Sequence, residues 1–336
     1  MLEVLIVNQS EVPRLLPVRE CIDVMARAFA GLARGEATLP LRQILWLSEK
    51  SGALGLMPAH LSGLGAVGLK AVTFFPRNEG TDIDSHQGAV LLFETGRGRL
   101  LAVLDATSLT AVRTAAVSGL ATRILAKEDA GDLAMIGSGV EARTHLEAMI
   151  AVRKLRRVRV ASLSLARARA FAEREGKRHG LSIEPCASVE DAVRGADLVC
   201  TVTSSREPVV RSEWLSPGVH VNAVGSSVPT ARELDSATVA RSRFFVDHAP
   251  AALAEAGDFL IPLSNGEIEQ SHLRGDLGAL VVGDVPGRTS PADVTVFKSV
   301  GLAIEDVASA HHIYTRARAL NVGQWIGFGG GRDEEP

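Results

Sequence analysis

The sequence predicts an α/β protein, a doubly wound and helix-covered parallel sheet joined to a second, β-rich α+β domain. Three observations predict it. From Gly131 onward, apolar strand-like runs alternate with helical patterns, which points to a parallel sheet with helices on its faces. Between Arg42 and Leu104 short β-like runs instead follow one another directly, with glycine or polar breaks, as in hairpins and meanders. At 336 residues the chain is long enough for two domains with separate cores.

Taken in order, Leu2 to Val7 reads as a strand, and Val18 to Ala33 as a helix with Ile22, Met25, Ala26 and Phe29 at helical spacing. The β-like runs are Ile44 to Leu47, Ala53 to Pro58, Val67 to Phe75, Ala89 to Phe93 and Leu100 to Leu104. Asp105 can cap the long helix that follows, whose Leu109, Val112, Ala116, Leu120 and Ile124 fall near one face; this helix is expected to cross between domains. Strands then recur at Leu133 to Ile136, Arg157 to Ser162, Leu198 to Thr203, Val219 to Val224 and Phe244 to Val246. After a glycine- and proline-interrupted stretch, a strong helix runs from about Ser299 to Leu320, with Lys298 and Ser299 at its opening, and the tail Gly329 to Pro336 is expected to be mobile. The expected division is residues 1–112 with 310–336 as one domain and 113–309 as the other.

Apolar residues make up 46% and charged residues 22%, the balance of a soluble globular chain. A net charge of -3 gives no reason to expect nucleic acid or an anionic membrane as partner, so small molecules are the better expectation. The N-terminus has no basic region followed by a long apolar run, so neither a signal peptide nor a membrane span is expected, and the protein reads as cytoplasmic. Cys21, Cys186 and Cys200 have no close spacing and read as buried reduced thiols. His311 and His312 are adjacent on a helix and cannot both face one metal; no metal cluster is expected.

The strand Leu133-Ala134-Met135-Ile136 meets the turn Gly137-Ser138-Gly139-Val140-Glu141-Ala142 and then a helix, the context of a dinucleotide-binding turn of the Rossmann type. Gly137 suits the tight turn, Gly139 lets backbone approach a pyrophosphate, Ala142 lets the helix pack on its strand, and the helix N-terminus offers N–H groups to phosphate.

Lys70 is a lone charge in Val67-Gly68-Leu69-Lys70-Ala71-Val72-Thr73, which makes it either a site residue with a partner or an edge-strand lysine snorkelling to water. Arg42 invites the same two readings, with the surface role as the default. Arg113, in Arg113-Thr114-Ala115-Ala116, is either a bidentate carboxylate anchor or an exposed helix charge. His86, in Ser85-His86-Gln87, is favoured as a loop residue over an acid or base at a strand mouth.

Several separated motifs together resemble the ornithine cyclodeaminase and mu-crystallin family over almost the whole chain. They are Leu56-Met57-Pro58-Ala59, Gly68-Leu69-Lys70, Arg113-Thr114-Ala115-Ala116, the Gly137 to Ala142 turn, Val221-Asn222-Ala223-Val224-Gly225, Arg232-Glu233-Leu234-Asp235 and Thr295-Val296-Phe297-Lys298-Ser299-Val300-Gly301. The resemblance implies a homodimer whose N-terminal domain, completed by the last helix, supplies dimer contacts and substrate groups, with nicotinamide dinucleotide held by the Rossmann domain. It implies that Arg42 and Arg113 hold a substrate carboxylate and that Lys70 lies beside the reacting carbon and nitrogen, with Met57 and Ser227 also lining the substrate. For the cofactor it implies the turn residues Gly137, Ser138, Gly139, Val140, Glu141 and Ala142, with Ser162 and Thr114. Thr201, Thr203 and Ser204 on one loop, Val224, Gly225 and Ser226 on another, and Ser299 complete that set.

Two departures separate the chain from ornithine cyclodeaminase itself. Ser227 stands where that enzyme carries a catalytic aspartate after its Asn-Ala-Val-Gly stretch, and Gly55 stands where it has an acid before Met-Pro, so a diamine has no obvious anchor. The resemblance therefore implies reduction of a small carboxylated imine or ketimine by NAD(P)H. Cyclodeamination of ornithine and a non-catalytic NADP-binding role are the alternatives. After the second Rossmann strand, Ser162-Leu163-Ser164 offers neither an acid for ribose hydroxyls nor an arginine for a 2′-phosphate; Arg167 or Arg169 in reach tilts the expectation slightly to NADP. Glu141, where the family more often has glutamine, adds an unexplained charge near the phosphates.

Overall fold

The computed structural model of the protein describes residues 2–78 and 81–329; the tail expected to be mobile lies, from residue 330 on, outside them. The chain forms two compact units, one of the residues up to Arg113 with those from Leu302 onward, the other Thr114–Gly301. The division falls inside the long helix Ala106–Leu125, and the return to the first unit comes at Leu302 rather than at residue 310.

The first unit contains strands β1 (Glu3–Val7), β2 (Ala37–Thr38), β3 (Gln43–Trp46), β4 (Ala53–Leu61), β5 (Ala66–Phe74), β6 (His86–Glu94) and β7 (Leu100–Asp105). Strands β4 to β7 pair antiparallel in sequence order, the expected meander, with short connections between β4 and β5 and between β6 and β7 and a longer one, residues 75–85, between β5 and β6. Two features depart from it. β1 pairs parallel with β7, and a strand beyond the last helix, Gln324–Gly327, pairs antiparallel with β1, in a stretch between the last helix and the tail to which the sequence reading assigned no element. The sheet runs from that last strand through β1, β7, β6, β5 and β4 to β2, so β5 is interior.

The last helix, Ala303–Leu320, packs against β4, β5 and β6 and against the helix Val18–Ala33. Its first two turns, Ala303 to Ala310, are buried on every side, Glu305 and Asp306 included. It opens at Ala303 and not at Ser299: Thr295–Lys298 is a strand, and the chain then crosses Ser299 to Leu302 before turning into the helix. At that opening Glu305 Oε1 accepts from Leu302 N at 3.0 Å, satisfying one of the donors left over at a helix start.

The second unit is one all-parallel sheet. Its strands are β8 (Asp132–Ile136), β9 (Arg157–Ala161), β10 (Ile183–Pro185), β11 (Leu198–Thr201), β12 (His220–Ala223), β13 (Arg243–Val246), β14 (Leu273–Asp276) and β15 (Thr295–Lys298), in the spatial order β10-β9-β8-β11-β12-β15-β13-β14. The order reverses between β8 and β11, which is where a doubly wound sheet opens a crevice at its carboxyl ends.

Asp105 does cap the long helix, its Oδ1 accepting from Ser108 N at 2.7 Å. The helix is not amphipathic, however. Arg113, Thr114, Ser118 and Thr122 are buried along with its apolar residues, while Ile124, expected on the buried face, is only partly covered.

Candidate active site

In the first unit, cross-strand register builds a row. Met57 on β4 stands opposite Lys70 on β5, which stands opposite Val90 on β6. Gln43, the first residue of β3, pairs with Leu56, and Arg42 immediately before it is close enough for its charge to act on Lys70. Lys70 is thus a central-strand residue, 3% exposed, and the snorkelling alternative is excluded.

A buried ammonium requires a partner. Lys70 Nζ lies 2.9 Å from Asp306 Oδ2 and 3.1 Å from Oδ1, with the Thr110 hydroxyl at 3.4 Å. Arg113, 4% exposed, is no surface charge either: its Nε donates to Asp306 Oδ1 at 3.1 Å and its Nη1 to Glu305 Oε2 at 2.5 Å. Both acids sit in the first turn of the last helix, where the helix dipole favours negative charge. Burial and then the Arg113 charge lower the Lys70 pKa to about 8, Asp306 opposing them and Arg42 adding to them. Nearby, burial pushes the Cys21 thiol up to about 12, so it is no nucleophile.

His86 opens β6 and is not in a loop. Its ring lies 4.7 Å from that of Phe74, and desolvation followed by the Lys70 charge holds its pKa below the usual histidine value.

In the second unit the turn after β8 has the geometry that a dinucleotide needs. Gly137 has φ +121°, and a Cβ there would come within 2.8 Å of the Val202 carbonyl, so only glycine fits. A Cβ at Gly139 would meet nothing within 4 Å; open space lies over the backbone that should approach a pyrophosphate. The helix Val140–Val152 starts there, setting a helix N-terminus, the kind of backbone end that binds phosphate, directly after the turn, and Ala142 is fully buried. Ser138 and Ser162 share a 2.7 Å hydrogen bond that ties the turn to the end of β9.

One turn into this helix, the fully buried His145 places Nδ1 2.7 Å from the Glu141 carbonyl. Nδ1 must therefore donate, leaving Nε2 to accept from Ser118 at 3.0 Å. Burial lowers its pKa to about 4, so it is neutral, and the Glu141 carboxylate 3.5 Å away forms no ion pair with it at neutral pH.

The loops after β11 and β12 are fixed from behind. Glu233 accepts Thr201 Oγ1, Thr203 N and Thr203 Oγ1, each at 2.7 Å. Asp258 accepts Glu233 N at 2.8 Å and meets Lys298 Nζ at 3.0 Å, and Lys298 donates to the carbonyls of Gly225 at 2.6 Å and Ser226 at 3.2 Å. Gly225 has no room for a side chain, since a Cβ would fall 2.0 Å from the Thr203 carbonyl. Ser226 takes φ +56°, and its hydroxyl donates to Ser205 O.

These contacts correct three expectations. Thr201 is fully buried with its hydroxyl given to Glu233, Ser299 is 2% exposed with its hydroxyl on Asp247, and Lys298 ends a strand with its ammonium enclosed. Thr201 and Lys298 support the loops from behind, while Ser299 ties the end of β15 to Asp247 after β13. Thr114 is likewise buried in its helix, whereas Ser204 is exposed and Ser162, Thr203, Val224, Gly225, Ser226 and Ser227 are partly exposed.

The sequence reading missed Glu305, Asp306, Glu233 and Asp258. Their signal was present: Glu305 and Asp306 stand together in Leu302-Ala303-Ile304-Glu305-Asp306-Val307-Ala308, as conspicuous among apolar residues as Lys70 is in its strand.

Residues 3–321 match the family model of the ornithine cyclodeaminase/mu-crystallin family. Ketimine reductase mu-crystallin of Mus musculus is 38% identical over 83% of this chain and 85% of its own length. The structure of Thermococcus litoralis Delta(1)-pyrroline-2-carboxylate reductase in complex with NADH and L-proline superposes with a TM-score of 0.92 at 37% identity, covering 96% of this chain and 99% of that one. An archaeal alanine dehydrogenase dimer with bound NAD gives a TM-score of 0.91 at 34% identity, covering 97% and 100%.

Proposed function

The chain belongs to the ornithine cyclodeaminase/mu-crystallin family, and from that premise we propose that it reduces a small carboxylated imine or ketimine to the amino acid with NAD(P)H. The observation that carries the reading is the buried Lys70 beside Arg113: an ammonium whose pKa of about 8 lets it give up a proton near neutrality, next to a guanidinium suited to a carboxylate.

The second unit fits a dinucleotide, with Gly137, Ser138, Gly139 and the first turn of the following helix to hold its phosphates and the loops at Thr203 and Ser226 beyond β11 and β12. When bound, reduced nicotinamide supplies the hydride that the C=N carbon receives. Lys70 keeps the imine nitrogen protonated and so makes that carbon electrophilic; Arg113 and Arg42 hold the carboxylate and fix which face reacts. Met57 borders the Lys70 row, and Ser227 offers a hydroxyl where a catalytic acid would be needed for cyclodeamination. Gly55, with Val72 and Ile44 as its cross-strand neighbours, gives a second amine no carboxylate, which disfavours ornithine.

Either nicotinamide is accepted in this reading, with a small preference for NADP because Ser162-Leu163-Ser164 directly after β9 carry no charge to repel a 2′-phosphate and Arg167 or Arg169 follows. The protein acts as a homodimer in the cytoplasm. Leu41, Ile44, Leu45, Trp46 and Leu47 form an apolar run between 40% and 61% exposed, a patch suited to a second copy, and the three cysteines are unpaired and buried as in a reducing compartment. Among the described residues no helix is long and apolar enough to cross a membrane.

The test is oxidation of NADH and NADPH with pyrroline-2-carboxylate, piperideine-2-carboxylate, iminosuccinate, and 2-oxo acids with ammonia. Turnover with at least one supports the reading; inactivity throughout, with ornithine releasing ammonia and proline instead, replaces it with cyclodeamination. Binding of dinucleotide without any turnover would leave a binding protein.

A further inference from the structure

One carboxylate in the first unit meets both groups on which this reaction depends. Asp306 holds the Lys70 ammonium with both oxygens, at 2.9 and 3.1 Å, and its Oδ1 also accepts Arg113 Nε at 3.1 Å. Lys70 comes from β5, Arg113 from the long helix and Asp306 from the last helix, so the contact joins three elements. Without this acid two like charges would be buried side by side. Glu305 takes the Nη1 corner of Arg113, which lets Asp306 serve Lys70 as well.

We propose that Asp306 is a positioning residue for imine reduction: its carboxylate keeps the Lys70 ammonium charged and aimed, and fixes the Arg113 guanidinium relative to it. Proton donor and carboxylate anchor then move as one unit. The inference rests on the roles given to Lys70 and Arg113 above.

The charged and titratable groups around Lys70 are Asp306 from the last helix, Arg113 from the long helix with Glu305 behind it, Arg42 before β3, and His86 on β6. Arg113 and Arg42 discourage the ammonium, and so does burial; Asp306 is the acid in direct hydrogen-bond contact with it. Removing that charge alone therefore drives the proton off Lys70 at lower pH.

Asp306→Asn keeps the shape and removes the charge, while Asp306→Glu keeps the charge and moves it. Both are compared with the parent in kcat and kcat/KM against pH, with pyrroline-2-carboxylate and NADH as probes. Lys70 is titrated directly by nitrogen-15 NMR of lysine-labelled protein, its signal assigned by its loss in Lys70→Arg. In Asp306→Asn the alkaline limb and the Lys70 titration should both move down by about one pH unit or more, with NADH affinity unchanged. Asp306→Glu should keep the parent's limb while kcat falls about tenfold, since the charge stays but the geometry does not. A folded Asp306→Asn whose limb and Lys70 titration match the parent overturns the proposal. If that variant does not fold, an Asp306→Glu protein with the parent's full kcat overturns it. A parent inactive on every imine would remove the reaction reading, and the NMR titration would still decide whether Asp306 holds the Lys70 proton.

Discussion

The Lys70 ammonium and the Asp306 carboxylate, 236 positions apart in the chain, meet at 2.9 Å with 3% and 0% of their side chains exposed. Such a pair in a low-dielectric interior is costly to form and costly to break, which makes each partner's removal informative.

Lys70→Met should retain dinucleotide binding, because the glycine turn belongs to the other unit, and lose about 10²- to 10⁴-fold in kcat, the range for a general acid. Fluorescence titration with NADH and steady-state rates measure the two separately. Undiminished turnover would remove Lys70 from the mechanism.

The pH profile of kcat/KM follows from the same residue. The protonated form donates, and its pKa is about 8, so activity should be full below that value and decline as pH rises through it. A profile flat across this range contradicts the role.

Arg113→Met leaves Glu305 buried without its guanidinium and should destabilise the protein by about 3–5 kcal/mol, measured by urea unfolding. Arg113→Lys restores a charge but not the fork that reaches Glu305 and Asp306 together, and should chiefly raise KM for the carboxylated substrate.

Glu141 occupies the first turn of the helix whose N-terminus is offered to phosphate. Its charge favours the positive helix end by itself and opposes a phosphate there, each effect being about 0.3–1 kcal/mol. Glu141→Gln should therefore tighten dinucleotide binding by about two- to fivefold, an effect that shrinks with added salt. Weaker binding would mean that the carboxylate contacts the ligand favourably.

Two buried histidines set an acid limit on stability. Burial lowers the pKa of His145 to about 4 and of His220 to about 3, below the ordinary histidine value that the unfolded chain regains. The unfolded state then binds more protons as pH falls below about 6.5, so stability present above that pH is lost progressively toward the folded values. Circular dichroism of His145→Gln during acid titration should show a shallower loss than the parent.

Much of the fold was legible because it is local. The strand, turn and helix at Gly137 to Ala142 form a contiguous signal, and the meander of β4 to β7 follows from successive apolar runs with no helical pattern between them. The long helix was misread because periodicity reports a buried face only when the opposite face is wet, and this helix is buried almost all round. β15 was missed because its run leads almost directly into the last helix, and no local feature says where a short buried strand stops.

The sequence by itself determined that Lys70 and Arg113 need an account, since a lone charge among apolar neighbours must be either solvated or paired. It determined the glycine turn and the absence of acids at Gly55 and Ser227 for the same reason, that composition at a position can be read directly. Only the tertiary structure decided that the partners are Asp306 and Glu305, that Thr201 and Lys298 work from behind their loops, and that Ser299 gives its hydroxyl to Asp247. Pairing across 192 to 236 residues depends on which strand faces which helix, and that is fixed by packing of the whole unit, which no local pattern encodes.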